Sequence, residues 1–319
     1  MEKVPVVIVG GGCTGTGILW DLSLRGIPSA LFEQRDLANG ATGRCHGLLH
    51  SGGRYSVKDV AAAKECILEN QILKRIAAPC IEDTGGFFVH YSGDDPEYVK
   101  HWVAGSKNAG IPIEEVSQRE ARYAEPLLPK DIVAAYTVPD AYIDPFLLTV
   151  SNAQAAIERG ALLKTYTEVT SIHLDGRKVA GVHYRDVLTG ETGYLACELV
   201  VNATGPWARQ FTSQMGVDLS MRCDRGTLVV LSHRLTTRAI NRCHNPGDGD
   251  ALVSGGPVTI LGNTSVTVSG PEDLEPSPGE VESLLANGTE LLPSMTDVRV
   301  LRSFCGTRPL YIPKAADAE

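Results

Sequence analysis

The sequence predicts an α/β fold: a doubly wound domain on a parallel sheet, with a mixed-sheet domain inserted into it. Three observations support this prediction. An apolar run, residues 4–9, passes into a glycine-rich turn and then an expected helix. A second apolar run, at residues 199–207, also stops at small residues before an expected helix. Between these units, apolar segments separated by tight turns predict a β-meander over residues 167–201.

The first glycine-rich turn, V-P-V-V-I-V-G-G-G-C-T-G, predicts a dinucleotide site. A buried parallel strand needs the β-branched run, and the backbone must then turn sharply at Gly10. Gly12 allows a pyrophosphate to approach the main chain, and Gly15 allows the next helix to pack on the strand. That helix points its first N–H groups at the phosphates. Glu33 closes the run S-A-L-F-E and can bind both ribose hydroxyls of an adenosine that lacks a 2′-phosphate.

Composition and charge narrow the class of protein. With 319 residues, of which 43% are hydrophobic, the chain can bury a large core and is expected to form two domains. The net charge of −9 argues against a nucleic-acid partner. Eight cysteines show no C-x-x-C spacing, so neither a metal site nor a cysteine-ligated cluster is indicated. The sequence has no leader and no membrane-spanning run, which predicts a cytoplasmic protein and leaves peripheral attachment to the inner face of the cell membrane open.

The remaining segments alternate between helical and strand patterns. Ser117 and Glu120 predict a capping box at the start of a short helix. A solvated connector is expected at 271–279. The other expected helices are 13–25, 59–78 and 145–159, and the expected strands are 86–91, 132–138, 167–174, 179–184, 194–201 and 298–304.

Two strand–turn–helix units with a meander between them indicate a flavin rather than a nicotinamide, and several motifs then carry a family resemblance. These motifs are G-G-G-C-T-G-T-G, A-T-G-R-C-H-G-L-L-H-S-G-G-R-Y (41–55), E-N-Q-I-L-K-R-I-A, V-N-A-T-G-P-W and G-T-R-P-L (306–310). They resemble the FAD-dependent glycerol-3-phosphate dehydrogenases, above all the large catalytic chains of the anaerobic type. These enzymes belong to the D-amino-acid-oxidase-like flavoproteins.

The resemblance implies a set of FAD-binding residues. The segment 41–55 would pass along the phosphates and the ring edge, and residues 203–205 would bring a second backbone close to the cofactor, although an ordinary strand-to-helix turn also explains them. The backbone of Val169 would meet the adenine edge. The full implied set is Gly10, Gly12, Cys13, Thr14, Gly15, Glu33, Gln34, Thr42, Gly43, Arg44, His46, Gly47, Leu49, Val169, Ala203, Thr204, Gly205 and Trp207.

The resemblance also implies a catalytic pocket formed by His50, Arg54, Tyr55 and Arg308. A phosphorylated polyol needs fixed positive charge, and an arginine meets phosphate oxygens with two hydrogen bonds while it stays ionised. Tyr55 would add a hydroxyl donor. His50 would either accept the hydroxyl proton or serve as a neutral hydrogen-bond partner of the flavin.

The implied reaction is the oxidation of sn-glycerol 3-phosphate to dihydroxyacetone phosphate, with a hydride passing to FAD. Electrons would then reach a quinone through partner subunits, since no cluster-binding cysteines occur. The resemblance covers only the front part of the family, so the pocket is expected to lack a wall. The alternatives are therefore a non-catalytic FAD-binding fragment, or a relative that oxidises 2-hydroxy acids or amino acids.

The expected domain division follows from these assignments. Residues 1–78, 145–209 and 296–319 are assigned to the FAD-binding domain. Residues 79–144 and 210–295 are assigned to the substrate or cap domain.

Overall fold

The computed structural model describes residues 3–313. Its α-helices over this range are α1 (Cys13–Leu24), α2 (Val60–Ile76), α3 (Pro96–Ala109), α4 (Gln118–Ala124), α5 (Pro145–Glu158), α6 (Ala208–Ser213) and α7 (Pro278–Leu291). Short 3₁₀ helices occupy Ala41–Arg44, Gly53–Tyr55, Ala78–Cys80, Gly205–Trp207 and Pro293–Asp297.

The strands alternate with these helices. In chain order they are β1 (Val6–Val9), β2 (Ser29–Phe32), β3 (Leu48–Leu49), β4 (Ile81–Glu82), β5 (Gly86–Tyr91), β6 (Glu114–Ser117), β7 (Ile132–Val138), β8 (Ala141–Ile143), β9 (Leu162–Lys164), β10 (Thr167–Asp175), β11 (Lys178–Asp186), β12 (Thr192–Ala196), β13 (Leu199–Asn202), β14 (Met221–Leu231), β15 (Ala239–Arg242), β16 (Ala251–Gly255), β17 (Val258–Gly262), β18 (Val266–Val268) and β19 (Val300–Tyr311).

A four-stranded parallel sheet in the order β13-β1-β2-β9 contains the first glycine-rich turn. Both of its faces are covered, which explains why β1 is apolar at every position. On one face Ile8 shares a buried cluster with Leu19 of α1 and Ala156 of α5. On the other face Val7 shares a cluster with Val182 of the meander. The predicted α/β fold is confirmed.

The meander differs from the sequence prediction in its third strand. The expected strand 194–201 is divided into β12, which pairs with β11, and β13, which pairs in parallel with β1. The change of partner occurs at residues 197–199. The N–H of Cys197 still donates to Ala180 O at 3.1 Å, whereas the N–H groups of Glu198 and Leu199 both donate to Pro5 O at 3.0 Å. The single expected strand was wrong because an apolar run does not reveal which sheet it joins.

The second large unit is a nine-stranded mixed sheet. Its order is β18-β14-β17-β16-β15-β5-β7-β6, and β19 pairs with β14. Only β15 and β5 are parallel partners among these pairs of described strands. One cluster of buried residues joins this sheet to Leu284 and Leu291 of α7. A second cluster joins it to Ile67 of α2 and Trp102 of α3.

Strand β19 lies in a different sheet from the one expected. The sequence prediction assigned 296–319 to the FAD-binding domain, but β19 pairs antiparallel with β14 from Met221↔Tyr311 to Leu231↔Val300. This long ladder satisfies the backbone N–H and C=O groups of both strands inside the large sheet. The strand itself was predicted correctly at 298–304. The division into two domains otherwise stays a prediction, and residues 314–319 lie outside the described range.

Most other predicted elements are present. The capping box of Ser117 and Glu120 begins α4 as expected. Asp144 caps α5 by accepting hydrogen bonds from two backbone amides. A second capping box, formed by Ser277 and Glu280, begins α7 at the end of the segment expected to be a connector. No helix within residues 3–313 is both long enough and apolar enough to cross a bilayer.

Candidate functional site

The first glycine-rich turn has the close contacts that its glycines predict. Gly10 adopts a φ of +113°, and a Cβ there would lie 2.4 Å from Ala203 O. A Cβ on Gly15 would lie 1.9 Å from Gly10 O. Side chains at these two positions are therefore excluded by neighbouring backbone, and α1 begins directly against the end of β1.

The first turn of α1 is open to an anion. Gly12 is its N-cap residue and provides no side-chain cap, and no acidic residue lies in the first turn. Cys13 and Thr14 are exposed. The N–H of Cys13 donates to Thr42 Oγ1 at 3.1 Å. The N-terminal amides and the positive end of the helix dipole thus form the kind of site that a pyrophosphate occupies.

Glu33 follows β2 and lies beside the same turn. Its Oε2 accepts a hydrogen bond from Gly11 N at 2.7 Å, and its Oε1 accepts one from Arg35 N at 2.8 Å. The carboxylate is part-exposed, and the next residue, Gln34, is exposed. Because an ionised carboxylate has about four acceptor positions, Glu33 retains capacity for the hydroxyls of a ribose.

Residues 203–207 border the other side of the turn. The N–H of Ala203 donates to Val9 O at 2.9 Å. Thr204 donates to Asn202 Oδ1 from both its backbone and its hydroxyl. Gly205 has a φ of +56° with no protein atom near the position of a Cβ, so its backbone conformation favours glycine. Trp207 Nε1 donates to Glu272 Oε1 at 2.9 Å, which ties this turn to the loop after β18.

The segment 41–55 leads from α1 to the large sheet, but several of its residues bind protein atoms. A Cβ on Gly43 would lie 2.4 Å from Ala38 O, and one on Gly47 would lie 2.6 Å from the ring of Tyr142. Arg44 donates to the carbonyls of Asn39 and Cys305, each at 3.4 Å. These contacts give the three residues a structural role in addition to the expected one.

Leu49 and Val169 are buried apolar residues. Leu49 lies in β3, and its carbonyl accepts a hydrogen bond from Asn70 Nδ2 at 3.2 Å. Val169 lies in β10, which begins beside β2 because Thr167 N donates to Glu33 O at 2.8 Å. Val169 is therefore on the strand that passes the ribose-binding carboxylate.

A cavity of about 360 Å³ lies where the segment 41–55 meets the large sheet. The four residues predicted to form the catalytic pocket line this one cavity, although Arg308 is far from the others in sequence. His46, predicted as a cofactor residue, also lines it. The sequence analysis missed five further polar residues of the lining, namely Asp224, Asn241, Asp248, Asn263 and Ser265.

Both predicted arginines are held by aspartates. Arg308 Nη1 is paired with Asp224, which is 5% exposed, and its Nη2 donates to Thr264 O at 2.8 Å. Arg54 Nη1 lies 3.6 Å from Asp250 Oδ2, and its Nη2 donates to Gly247 O at 3.1 Å. The cavity is thus less positive than the sequence suggested, but each guanidinium is fixed in orientation.

The missed acids lie in short polar turns. Asp248 and Asp250 occur in the sequence N-P-G-D-G-D, which alone indicates only a turn. Burial raises the pKa of the Asp248 carboxyl. Burial also opposes ionisation of Asp250, but hydrogen bonds from His244 and from Gly247 N outweigh it, and its pKa is lowered.

The two histidines of the cavity are held neutral. Burial, together with the neighbouring His50, Arg54 and Arg308, lowers the pKa of His46 to about 3. Burial also lowers the pKa of His50; the nearby Asp140 opposes that shift and Arg54 adds to it. The imidazole rings of His46 and His50 are 5.9 Å apart. Neutral imidazoles can accept a proton or a hydrogen bond.

These observations fit a bound FAD. Side chains are excluded from the turn at Gly10 and Gly15, the first turn of α1 lacks a side-chain cap, and Glu33 has unused acceptor positions. The segment that contacts Cys13 through Thr42 continues into the cavity. No group of three or more acidic, histidine or cysteine residues within residues 3–313 is arranged to hold a metal ion.

Comparisons with known proteins agree with this fit. The family model described as FAD dependent oxidoreductase (DAO) matches residues 5–317. The chain is 44% identical to the A1 chain of the anaerobic glycerol-3-phosphate dehydrogenase of Haloferax volcanii, over 100% of this chain and 56% of that protein. It is 43% identical to the large chain of the enzyme of the same name from Escherichia coli K12, over 97% of this chain and 57% of that protein.

The fold is also similar to solved structures. The L-alpha-glycerophosphate oxidase of Mycoplasma pneumoniae, solved with FAD bound, superposes with a TM-score of 0.82 at 21% identity, covering 99% of this chain and 85% of that one. The chain spans between half and two thirds of the length of the two curated relatives named above. On these matches, the chain belongs to the family of FAD-dependent oxidoreductases.

Proposed function

We propose that this chain is an FAD-dependent glycerol-3-phosphate dehydrogenase that oxidises sn-glycerol 3-phosphate to dihydroxyacetone phosphate. The observation that carries the proposal is one cavity lined by His50, Arg54, Tyr55 and Arg308, reached by a segment that begins at the N-terminus of α1. The relatives named as subunits of glycerol-3-phosphate dehydrogenases support this substrate.

The residues around the first turn would hold the cofactor. The first-turn amides of α1 would bind the pyrophosphate, and Glu33 would bind the ribose. Residues 203–205 would pass close to the cofactor beside the Gly10 turn. FAD, when bound, supplies an acceptor for the hydride that leaves the substrate.

The two arginines would bind the phosphate of the substrate. Each guanidinium uses one N–H from each terminal nitrogen on its aspartate and on a carbonyl, so three of its five N–H donors remain for the cavity. Phosphate oxygens are well matched to a planar guanidinium. Tyr55, which is 37% exposed, would donate its hydroxyl hydrogen to the substrate.

His50 would accept the proton of the substrate's secondary hydroxyl. Its lowered pKa keeps the imidazole neutral, and a neutral ring nitrogen is required to accept a proton. Asp140, which accepts a hydrogen bond from Ser51 N at 2.7 Å, is the nearby carboxylate that favours the protonated ring once it forms. In the alternative role, His50 would remain a neutral hydrogen-bond partner of the flavin.

Electron transfer beyond FAD would require partner subunits. Both curated relatives are named as single subunits of their enzymes, which supports a partner that accepts the electrons and passes them to a quinone. We propose a cytoplasmic chain that associates with the inner face of the membrane through such partners.

Anaerobic reduction tests the function. The purified chain is reconstituted with FAD, and glycerol 3-phosphate is expected to bleach the flavin absorbance near neutral pH. Bleaching only by 2-hydroxyglutarate or by an amino acid would instead assign it to the other oxidases of the family. Retention of FAD without bleaching by any of these compounds would support a non-catalytic FAD-binding protein.

A further inference from the structure

Asp250 is a buried carboxylate on which three donors converge. It is 7% exposed. His244 Nε2 lies 2.9 Å from its Oδ1, the N–H of Gly247 donates to its Oδ2, and Arg54 Nη1 lies 3.6 Å from that Oδ2. Asp250 therefore connects a histidine outside the proposed catalytic cavity to an arginine inside it.

The arginine is held from behind by this arrangement. Arg54 Nη2 also donates to Gly247 O at 3.1 Å, so both terminal nitrogens of the guanidinium contact the turn that Asp250 stabilises. That turn is itself anchored: Asn287 Nδ2 of α7 donates to Asp248 O at 2.9 Å. A planar group with two fixed contacts on one edge presents its remaining N–H groups in one direction.

His244 lies on the other side of the same turn. It lines a second cavity of about 200 Å³, which also contains Arg242, Asp248 and Glu290. The chain of contacts from His244 through Asp250 to Arg54 thus forms part of the wall between the two cavities. His244 lines only the second of them, so any effect it has on the substrate must pass through the wall.

We propose that His244 and Asp250 are positioning residues that orient Arg54 for the phosphate of the substrate. The inference rests on the proposed function, because it assumes that Arg54 binds a phosphate. It predicts that a change at His244 weakens phosphate binding only while Arg54 is present. It also predicts that removal of the Asp250 charge weakens phosphate binding, although the cavity becomes more positive.

A double-mutant cycle tests the inference through binding rather than turnover. The dissociation constant of inorganic phosphate is measured by ³¹P NMR titration for the parent chain and for His244→Ala, Arg54→Ala and the double variant. We expect His244→Ala to weaken binding about tenfold in the parent and less than twofold in Arg54→Ala. Equal weakening in both backgrounds would show that His244 acts through general structure, and would overturn the proposal.

Two further variants sharpen the test. In His244→Gln the side-chain amide can donate to Asp250 where the imidazole did, and binding is expected to return to within about threefold of the parent. In Asp250→Asn the acceptor charge is lost. Tighter phosphate binding in this variant would mean that Asp250 competes with the substrate as a counter-ion, and would contradict a positioning role. Because Asp250 is buried and its variant can unfold, the decision rests on the His244 cycle.

Controls separate this inference from the proposed function. His101→Ala, at an exposed histidine of α3, should leave phosphate binding unchanged, and thermal unfolding should show that each variant is folded. If the parent binds phosphate but glycerol 3-phosphate does not reduce its FAD, the proposed function fails while the cycle still decides the role of His244. A folded parent that binds neither phosphate nor glycerol 3-phosphate overturns both.

Discussion

Gly15 lies so close to Gly10 that a Cβ on Gly15 would be 1.9 Å from the carbonyl oxygen of Gly10. The contact joins the first turn of α1 to the turn that follows β1. Neither backbone segment can move away easily, because β1 is paired on both sides and α1 belongs to a buried cluster with it. The position of the helix N-terminus, and hence of any phosphate bound there, depends on the absence of a side chain at Gly15.

We therefore expect Gly15→Ala to destabilise the chain and to reduce FAD binding. The added methyl group forces the helix away from the strand, at a cost of about 2 to 3 kcal/mol. Urea unfolding measures the loss of stability, and the flavin absorbance of the purified protein measures retention of FAD.

Gly17→Ala is a matched control in the same helix. No protein atom lies within 4 Å of a Cβ at Gly17. Alanine has the higher helix propensity, so this variant should be more stable by about 0.5 to 1 kcal/mol and should retain FAD. If Gly15→Ala behaved like Gly17→Ala, the close contact with Gly10 would not be present in solution.

Arg308 is expected to give different results with alanine and with lysine. Alanine leaves Asp224, which is 5% exposed, without its partner, and should cost about 3 kcal/mol of stability. Lysine keeps the positive charge beside Asp224 but lacks the planar fork. The KM for glycerol 3-phosphate should then rise about 10-fold to 100-fold, the equivalent of one or two charge-assisted hydrogen bonds.

Steady-state reduction kinetics and thermal unfolding together measure these two effects. Arg177→Ala, in the exposed turn between β10 and β11, is the control and should change neither quantity. An Arg308→Lys variant with the KM of the parent would remove Arg308 from the substrate site and leave it a purely structural partner of Asp224.

The sequence predicted the parts of the site that depend on local conformation. Gly10 and Gly15 were recognised because a turn between a buried strand and a helix imposes a distinct pattern on neighbouring residues. The catalytic residues were found through family motifs, and the structure brings Arg54 and Arg308 into one cavity. Their partners Asp224 and Asp250 were not found, because an aspartate in a strand or a turn gives no sign of the distant arginine that it will contact.

Strand pairing was the other limit. An apolar run such as 194–201 or 298–304 shows that a strand exists, but its partner depends on contacts far away in the chain. The first of these runs is shared between two sheets, and the second pairs with β14 rather than with the parallel sheet. Local patterns contain no information about either choice.

His46 should remain neutral, with its proton on Nε2, between pH 5 and pH 8. Its Nδ1 accepts a hydrogen bond from Leu48 N at 3.1 Å, so the neutral ring carries its hydrogen on the other nitrogen. Burial is the main cause that lowers its pKa from 6.5 to about 3. The stability linked to this group is complete above pH 6.5 and is lost as the pH falls toward 3.

Nitrogen-15 NMR of the histidine rings tests this prediction, and His46→Asn identifies the signal. The expected result is an Nε2–H tautomer with constant chemical shifts across the range. A titration with a midpoint between pH 5 and pH 8 would show that His46 gains a proton in the cavity, and would make it a competitor of His50 for the role of proton acceptor.

Glu280 should make the chain sensitive to acid. Its carboxylate is paired with Arg225 at 2.6 Å, and hydrogen bonds from Ser277, Thr227 and Thr264 outweigh the effect of burial and lower its pKa from 4.5 to about 2. Because the folded pKa lies below the unfolded one, the linked stability is fully present above pH 4.5 and is lost as the pH falls toward 2. The shift corresponds to at most about 3 kcal/mol.

Urea unfolding at a series of pH values between 2 and 7 measures this dependence. Glu280→Gln should be less stable than the parent at pH 7, because Arg225 loses the charge of its buried partner, and its stability should change less between pH 4.5 and pH 2. Glu282→Gln, at an exposed position of the same helix, should follow the parent curve. Since Thr264 both donates to Glu280 and accepts from Arg308, acid that protonates Glu280 should also loosen the arginine proposed to bind phosphate. Equal acid sensitivity of Glu280→Gln and the parent would show that other carboxylates control unfolding and that this link to the cavity is weak.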